Sequence, residues 1–452
     1  MTGVQTCALP ILLKYLDTFA EQEIPRGIYR NAFFPKKNRS YVHCAVIPLY
    51  GESRWLNQGL PSLLTAAAQV KGSTLLIGVV NRHELSKLEV REDNQLTLDH
   101  FKFFPQTPIP DFPLMTLVEL NSQVDLILLN HNEEPHLFSS KEGVGKARKL
   151  GCDLALALST TPTLSVKYIH TTDGDAIVAP DYFSMETNFD SDVLLHPYLH
   201  VGDYEQMEAL RLYEFSLRHY VAGLKFAGSP YAHESLGSTI AIKPHCYAAV
   251  RGFPKRNAAE DFYLLNKAVK TGSLYQSEQG LVRLVGRESR RVPFGTGVGT
   301  EKIWQKLVHH QVPTFYHPNC FEITKNVCAV LDQWSQNLES SPNRKEITRT
   351  IRGSIEIKDL EKASFAEGDF VIVSCDDEIH VGRVEYVMTS GASGLPGSEY
   401  YLETSPENPA LVVRTLEFES DGQYWEETAY LVSVAAEEAT IWYEFVVAFA
   451  TI

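Results

Sequence analysis

Val42–Leu49 (VHCAVIPL) is a mostly apolar run, the pattern of a parallel strand buried on both faces. Trp55–Val70 follows with apolar residues at helical spacing, and Thr74–Val80 (TLLIGVV) is a second buried run. Val124–Leu129, interrupted only by Asp125, is a third. Gly143–Leu158 is rich in Ala and Leu and predicts a helix, and Val166–His170 predicts a strand leading into an acidic turn. Strands alternating with helices predict a doubly wound α/β sheet. Such sheets bind ligands at the carboxyl ends of their strands. Further on, residues 204–226 predict a helix, Gly237–Ile242 a short strand, and Ala258–Lys270 a helix ending at Gly272. Gln336–Arg349 turns polar, as a linker does. Beyond it Gly368–Cys375, His380–Met388, Glu399–Glu403, Ala410–Glu417 and Ala429–Val434 read as β-runs. Turn signals such as Leu395-Pro396-Gly397 and Asp421-Gly422 separate them.

Charge sharpens the division. Residues 363–452 carry 17 Asp/Glu against two Arg, a net of −15, which equals the formal charge of the whole chain. The rest is therefore balanced, and so sharp a step marks a domain boundary. An acidic end argues against nucleic-acid binding, which needs clustered Lys and Arg. At 452 residues the chain exceeds one ordinary core. Its longest apolar runs, Leu75–Val80 and Phe445–Ala450, are strand-length, well below the roughly 18 residues of a spanning helix. The expected location is cytoplasmic, with any membrane attachment peripheral at the inner face. Seven cysteines without CxxC or CxxxC spacing argue against a zinc site or a disulfide framework. Met1–Ile11 (MTGVQTCALPI) resembles a translated sequencing adapter and is expected to be an artefact. The expected partition is thus 1–11 artefact, 12–334 α/β domain, 335–362 linker and 363–452 small acidic β-rich domain.

Thr171-Thr172-Asp173-Gly174-Asp175 follows a predicted strand. Two carboxylates one residue apart in a turn can both face one hard divalent cation, Mn²⁺ or Mg²⁺, and leave positions open for phosphate oxygens. A diphosphate leaving group needs such neutralisation as its charge develops. Taken alone the motif equally fits a solvated turn, since Asp and Gly favour turns anyway.

Four segments, in order, give it context. Ile169–Phe183 (IHTTDGDAIVAPDYF) resembles the strand-end and acidic-turn stretch of family-two glycosyltransferases with the GT-A fold. Ile47–Glu52 (IPLYGE) is similar to that family's first strand and turn, with Gly51 where Asn is common. Glu142–Gly151 (EGVGKARKLG) is similar to its Gly-rich helix start, with Lys149 in place of Asn. Gly252–Gly272 resembles its acceptor-side segment with a Glu-Asp pair. Together they span about residues 41–300.

The resemblance implies an α/β GT-A domain, followed by a small all-β domain. It implies an inverting transfer of sugar from a nucleotide-diphosphate sugar to a saccharide or lipid-linked acceptor. Pro48, Tyr50, Glu52 and Asn81 would line the nucleoside side, with Asn81 where the family usually has Asp. Lys146 and Arg148 would lie near the diphosphate. Asp173 and Asp175 would hold the metal, with Asp173 also at the donor phosphate. Asp261, with Glu260, would supply the catalytic base. Arg287, Arg290 and Arg291 could face phosphates or belong to a surface loop. His309, His310 and His317 follow, and the metal roles are left to the two Asp. A non-catalytic nucleotide-sugar or metal-binding protein and a nucleotidyltransferase stay open as alternatives. The acidic C-terminal segment faintly resembles small phage-encoded β-barrel modules, and its reading is binding or structural.

Overall fold

A computed structural model describes residues 3–24, 39–109, 112–187, 189–202, 207–256, 258–286 and 295–336, and the backbone of seven strands between 370 and 441. Arg287, Arg290 and Arg291 and the expected linker beyond 336 lie outside these residues. Two compact units divide the chain: 1–221 with 233–315, and 222–232 with 316–452.

In the first unit a nine-stranded mixed sheet is the frame. Its centre is formed by β1 (Tyr41–Leu49), β2 (Ser73–Asn81), β5 (Val124–His131) and β6 (Ile169–Thr171). The spatial order is β6-β1-β2-β5, all parallel. Both faces are covered, which is why these strands read as continuous apolar runs. Cys44, Val46, Leu75, Ile77 and Val79 pack on one face with Ala147, Leu150 and Leu154 of helix α4 (Val144–Ser159). Ala45, Ile47, Leu49, Leu76 and Val80 pack on the other with Leu60, Leu63 and Ala67 of α2 (Gly59–Ala68) and Phe101 of α3 (Leu88–Phe101). This is the α/β, doubly wound mixed sheet expected of a GT-A domain. Asp125, the polar interruption in β5, is buried with its Oδ2 paired: Tyr41 Oη donates to it at 2.6 Å and Arg39 Nη1 lies 2.8 Å away.

Strands that pair antiparallel, except for β11 parallel to β8, extend the sheet at both ends. β4 (Met115–Glu119) and β3 (Gln106–Pro108) follow β5, while β10 (Ile240–Ile242), β8 (Val193–Leu195) and β11 (Leu274–Gln276) follow β6. A separate three-stranded sheet joins β7 (Ala176–Val178), β12 (Val282–Val285) and β9 (Tyr198–Val201). Helix α1 (Gly3–Thr18) packs through Leu12, Tyr15 and Leu16, whereas Leu9 and Ile11 are exposed. Helices α5 (Met207–Phe226), α6 (Pro244–Ala249), α7 (Glu260–Thr271) and α8 (Thr296–Val308) complete the order, and α9 (Pro318–Gln336) follows. Among the described residues, no helix is long and apolar enough to cross a membrane.

The C-terminal strands belong to the second unit and are all-β, as expected. β13 (Phe370–Cys375), β14 (Glu378–Met388), β17 (Ala410–Phe418), β18 (Trp425–Ala435) and β19 (Ala439–Ile441) form an antiparallel sheet in the order β18-β17-β14-β13-β19. β15 (Gly391–Ser393) and β16 (Leu402–Thr404) form a separate pair.

Candidate functional site

Strand order reverses at β1: β2 and β5 lie to one side of it and β6 to the other. In open α/β sheets that switch point opens a crevice at the carboxyl ends of the strands. The sequence places its nominated residues at this edge. Register fixes the level, because Val46 of β1 pairs with Thr171 of β6, so Asp173 follows at the height where β1 ends. Gly174 lies against β1's end, where a Cβ would come within 2.9 Å of Glu52 Cβ and Leu49 Cδ2. A glycine between the two aspartates is therefore a packing requirement as well as a turn preference. Gly59, at the start of α2, approaches the same turn, and a Cβ there would sit 3.1 Å from the carbonyl oxygens of Gly174 and Ala176.

Arg148 is the centre of the arrangement. It is buried on α4, with Nη1 donating to Glu260 Oε1 and Nη2 donating to Asp173 Oδ1. The guanidinium thus bridges the acidic turn after β6 and the first residue of α7. It reaches this place because Gly237 has no side chain: a Cβ there would lie 2.6 Å from Arg148 Nη2 and closer still to Cζ. Helix α4 is seated by two glycines. Gly145 N donates to Arg256 O at 3.1 Å and leaves no room for a Cβ against the Pro254 and Arg256 backbone. Gly151 packs onto Val46 of β1. The Gly-rich helix start and the segment before the Glu-Asp pair, far apart in sequence, are thus in direct contact.

Glu260 is buried and Asp261 keeps part of its surface. Both follow Ala259, which adopts a left-handed backbone (φ 61°) and offers no side-chain cap. Asp261 Oδ1 accepts from Phe262 N at 2.7 Å. Desolvation raises the Asp261 carboxyl above its usual range, and the charge of Asp173 adds to this. Arg148 and the amides of Phe262 and Gly237 pull the other way without cancelling it.

On the β2 side the nominated residues end at neighbouring strand tips. Gly51, at φ 63°, occupies a conformation that Gly adopts freely and Asn tolerates. Its amide donates to Asn94 Oδ1 at 2.8 Å, and Asn94 Nδ2 donates to the carbonyl of Asn81 at 2.9 Å and to Asn132 Oδ1 at 3.0 Å. The Asn81 side chain is buried, and its Oδ1 accepts no hydrogen bond from the described residues. Tyr50 stacks on His83 at 5.9 Å between centroids and shares a 2.9 Å hydrogen bond with Ser86. Pro48 lies within β1, paired in register with Val79. Lys146 does not join the Arg148 group. It lies 3.1 Å from both Glu23 and Glu142, over the Phe138 ring. Burial opposes its charge, but those two carboxylates raise its pKa overall.

Among the described residues no cluster of three His, Cys, Asp or Glu is arranged to hold a metal. His309, His310 and His317 are exposed. The sequence reading missed Gly237, Asn94 and the buried group His43, His170, Glu186 and His196. Only His170 carried a signal, as a histidine three residues before the first aspartate of the acidic turn.

No protein-family model matches the chain, and no curated protein matches it. Among solved structures it is similar to S. aureus TarS 1-349, at 12% identity over 80% of this chain and 99% of that one, with a TM-score of 0.35. The same protein in complex with UDP-GlcNAc gives 12% identity, the same coverage and a TM-score of 0.37. The WbbM bifunctional glycosyltransferase gives 11% identity over 54% of this chain and 40% of that one, with a TM-score of 0.26. The chemistry has to be read from the side chains at the carboxyl edge.

Proposed function

We propose that the chain is a glycosyltransferase that moves a sugar from a nucleotide-diphosphate donor to an acceptor hydroxyl, with inversion. One observation carries this reading: Asp173, Arg148, Glu260 and Asp261 converge at the strand switch point from three separate elements. Arg148 is a planar, permanently charged donor suited to phosphate oxygens, yet it is already held by two carboxylates. Glu260 fixes the guanidinium and so acts as its positioning residue. Asp261 is the group that takes the acceptor's proton as the new bond forms, because it opens α7 next to Glu260, feels the charges of Arg148 and Asp173, and has a pKa raised by desolvation.

The residues present fit a divalent cation of the Mg²⁺ or Mn²⁺ kind. Asp173 and Asp175 share one turn, the Asp173 side chain is 33% exposed, and both offer hard oxygen ligands. With no third protein ligand among the described residues, donor oxygens and water would complete the shell. When bound, the ion would neutralise charge building on the leaving diphosphate. Glu52 and Asn81, at the tips of β1 and β2, would face the nucleoside, with Asn81 Oδ1 offering an unused acceptor.

The test is thermal melting with a panel of nucleoside diphosphates, with and without Mn²⁺. A ligand at 100 times its Kd stabilises the folded state by about 2.7 kcal/mol. Stabilisation should need Mn²⁺ and vanish in Asp175→Ala. Binding that chelator leaves unchanged would remove the metal from the reading, and no binding of any nucleotide would remove the reading itself.

A further inference from the structure

Below the acidic turn lies a row of buried titratable groups that the proposed chemistry does not use. His170, on β6, sits between Glu186 and His196. Its Nε2 is 2.7 Å from Glu186 Oε1, and its Nδ1 is 3.1 Å from His196 Nε2. His196 Nδ1 in turn lies 3.0 Å from the carbonyl oxygen of Gly280. The other Glu186 oxygen is 3.1 Å from His43 Nδ1 on β1. The side chains of His170, His196 and Glu186 are buried, and aromatic rings enclose them. Tyr182 stacks on His196 at 4.2 Å, with Phe183 edge-on to His170 at 5.3 Å.

The protons along this row can be counted. A carboxylate ends it on one side and a backbone carbonyl on the other, and both only accept. Three close contacts join them through two imidazole rings, and each contact needs one proton. Two neutral imidazoles carry only two. The row therefore holds one proton more than neutral rings supply. His196 Nδ1 must donate to Gly280 O, His196 Nε2 then accepts from His170 Nδ1, and His170 Nε2 donates to Glu186. His170 carries both protons and a positive charge. Desolvation and the His170 charge keep His196 neutral, lowering its pKa well below the usual value despite the Gly280 contact. Burial opposes ionisation of Glu186, but hydrogen bonds from His170 and His43 lower its pKa overall.

The pair closes a loop of chain. His170 is the middle residue of β6, and Glu186 lies in the turn Ser184–Thr187. Between them run Asp173, Asp175, β7 and the Tyr182-Phe183 pair. Gly280 ties the same row to the segment entering β12, which pairs with β7. We propose that His170, held as an imidazolium between Glu186 and His196, is the positioning group that clasps this excursion shut and sets where Asp173 and Asp175 stand. The inference rests on the proposed function only in giving those two aspartates a task.

Groups facing the clasp are His43 and Cys44 from β1, Tyr182 and Glu186 from the excursion, and His196 beside β8. Of these only His43 and His196 can carry a positive charge; His43 meets the other Glu186 oxygen, and His196 is kept neutral, so neither takes the place of His170. A neutral His170 would set two acceptors face to face, at Glu186 or at His196, and leave the excursion unclasped.

Two measurements on the full chain decide it. In ¹⁵N-histidine NMR at neutral pH, His170 should show two protonated ring nitrogens and His196 a single proton on Nδ1. A neutral His170 overturns the proposal without any variant. In hydrogen exchange, Glu186→Gln keeps the shape but removes the charge. Exchange across residues 172–185 should rise at least tenfold, with β1, β2 and β5 unchanged. Unchanged exchange overturns the positioning role. Neither readout involves nucleotide, so failure of donor binding would strike the proposed function and leave the clasp to be judged separately.

Discussion

Gly237→Ala is the sharpest test of how the site is assembled. The added methyl would lie 2.6 Å from Arg148 Nη2, whereas ordinary contact begins at 3.4 Å, so the guanidinium must withdraw by about 0.8 Å or more. It cannot withdraw freely, because Glu260 and Asp173 hold it on two sides and Arg148 is buried. Losing one charge-assisted hydrogen bond costs about 1.5–3 kcal/mol. Overpacking a filled site adds roughly 1–3 kcal/mol. We expect a loss of roughly 2.5–6 kcal/mol of stability, read from urea unfolding followed by tryptophan fluorescence. Affinity for nucleotide should fall with it. The decisive comparison is the same substitution in an Arg148→Met background. With the guanidinium gone, the methyl has room, and most of the penalty should disappear as a coupling between touching residues. A penalty of equal size in both backgrounds would show that Gly237 is needed for its backbone and not for Arg148.

Asp261→Asn should lower turnover by roughly 10²–10⁴-fold while leaving donor affinity nearly unchanged, measured as donor hydrolysis or transfer beside a melting curve. A carboxylate serving only the first turn of α7 would instead cost about 0.5–2 kcal/mol with turnover intact. Because burial raises the Asp261 pKa, the acid limb of the pH–rate profile should lie above the ordinary aspartate value of 3.8. Glu214 behaves oppositely. Burial would raise its pKa, but hydrogen bonds from His200 and Arg218 bring it down from 4.5 to about 2. Its contribution is present above pH 4.5 and lost as pH falls toward 2, so Glu214→Gln should flatten the acid side of the stability curve over that window. An acid limb unchanged in Glu214→Gln would refute the assignment.

How much of this was legible depended on burial. β1, β2 and β5 announced themselves because strands covered on both faces need apolar residues at every position. The three- and four-residue strands β8, β9, β11 and β12 are too short to show a period, and they went unread. Helix α3 was also missed, because it buries Asn94 and Thr97 where leucines would have signalled a core face. Trp55–Val70 read as one helix, yet the chain makes a 3₁₀ turn at Ser53–Leu56 and restarts at Gly59, where the acidic turn comes too close for a side chain. Expected strand Val166–His170 is Ile169–Thr171 in the fold, ending one residue nearer to Asp173. At the site, Asp173, Arg148, Glu260 and Asp261 were named from their motifs and do meet. Their meeting through one guanidinium was not readable, since it depends on an absent Cβ at Gly237.

That shared guanidinium has a thermodynamic consequence. Arg148 divides its two hydrogen-bonding arms between Asp173 of the acidic turn and Glu260, next to the proposed base Asp261. Anything that draws Asp173 away from Arg148 frees one arm and leaves the cation wholly to Glu260 or to an incoming anion. By linkage the reverse holds to the same extent: an anion that engages Arg148 releases Asp173 to bind a cation. The two halves of the crevice are coupled through a single residue, so cation and anionic donor should bind cooperatively, each more tightly in the presence of the other.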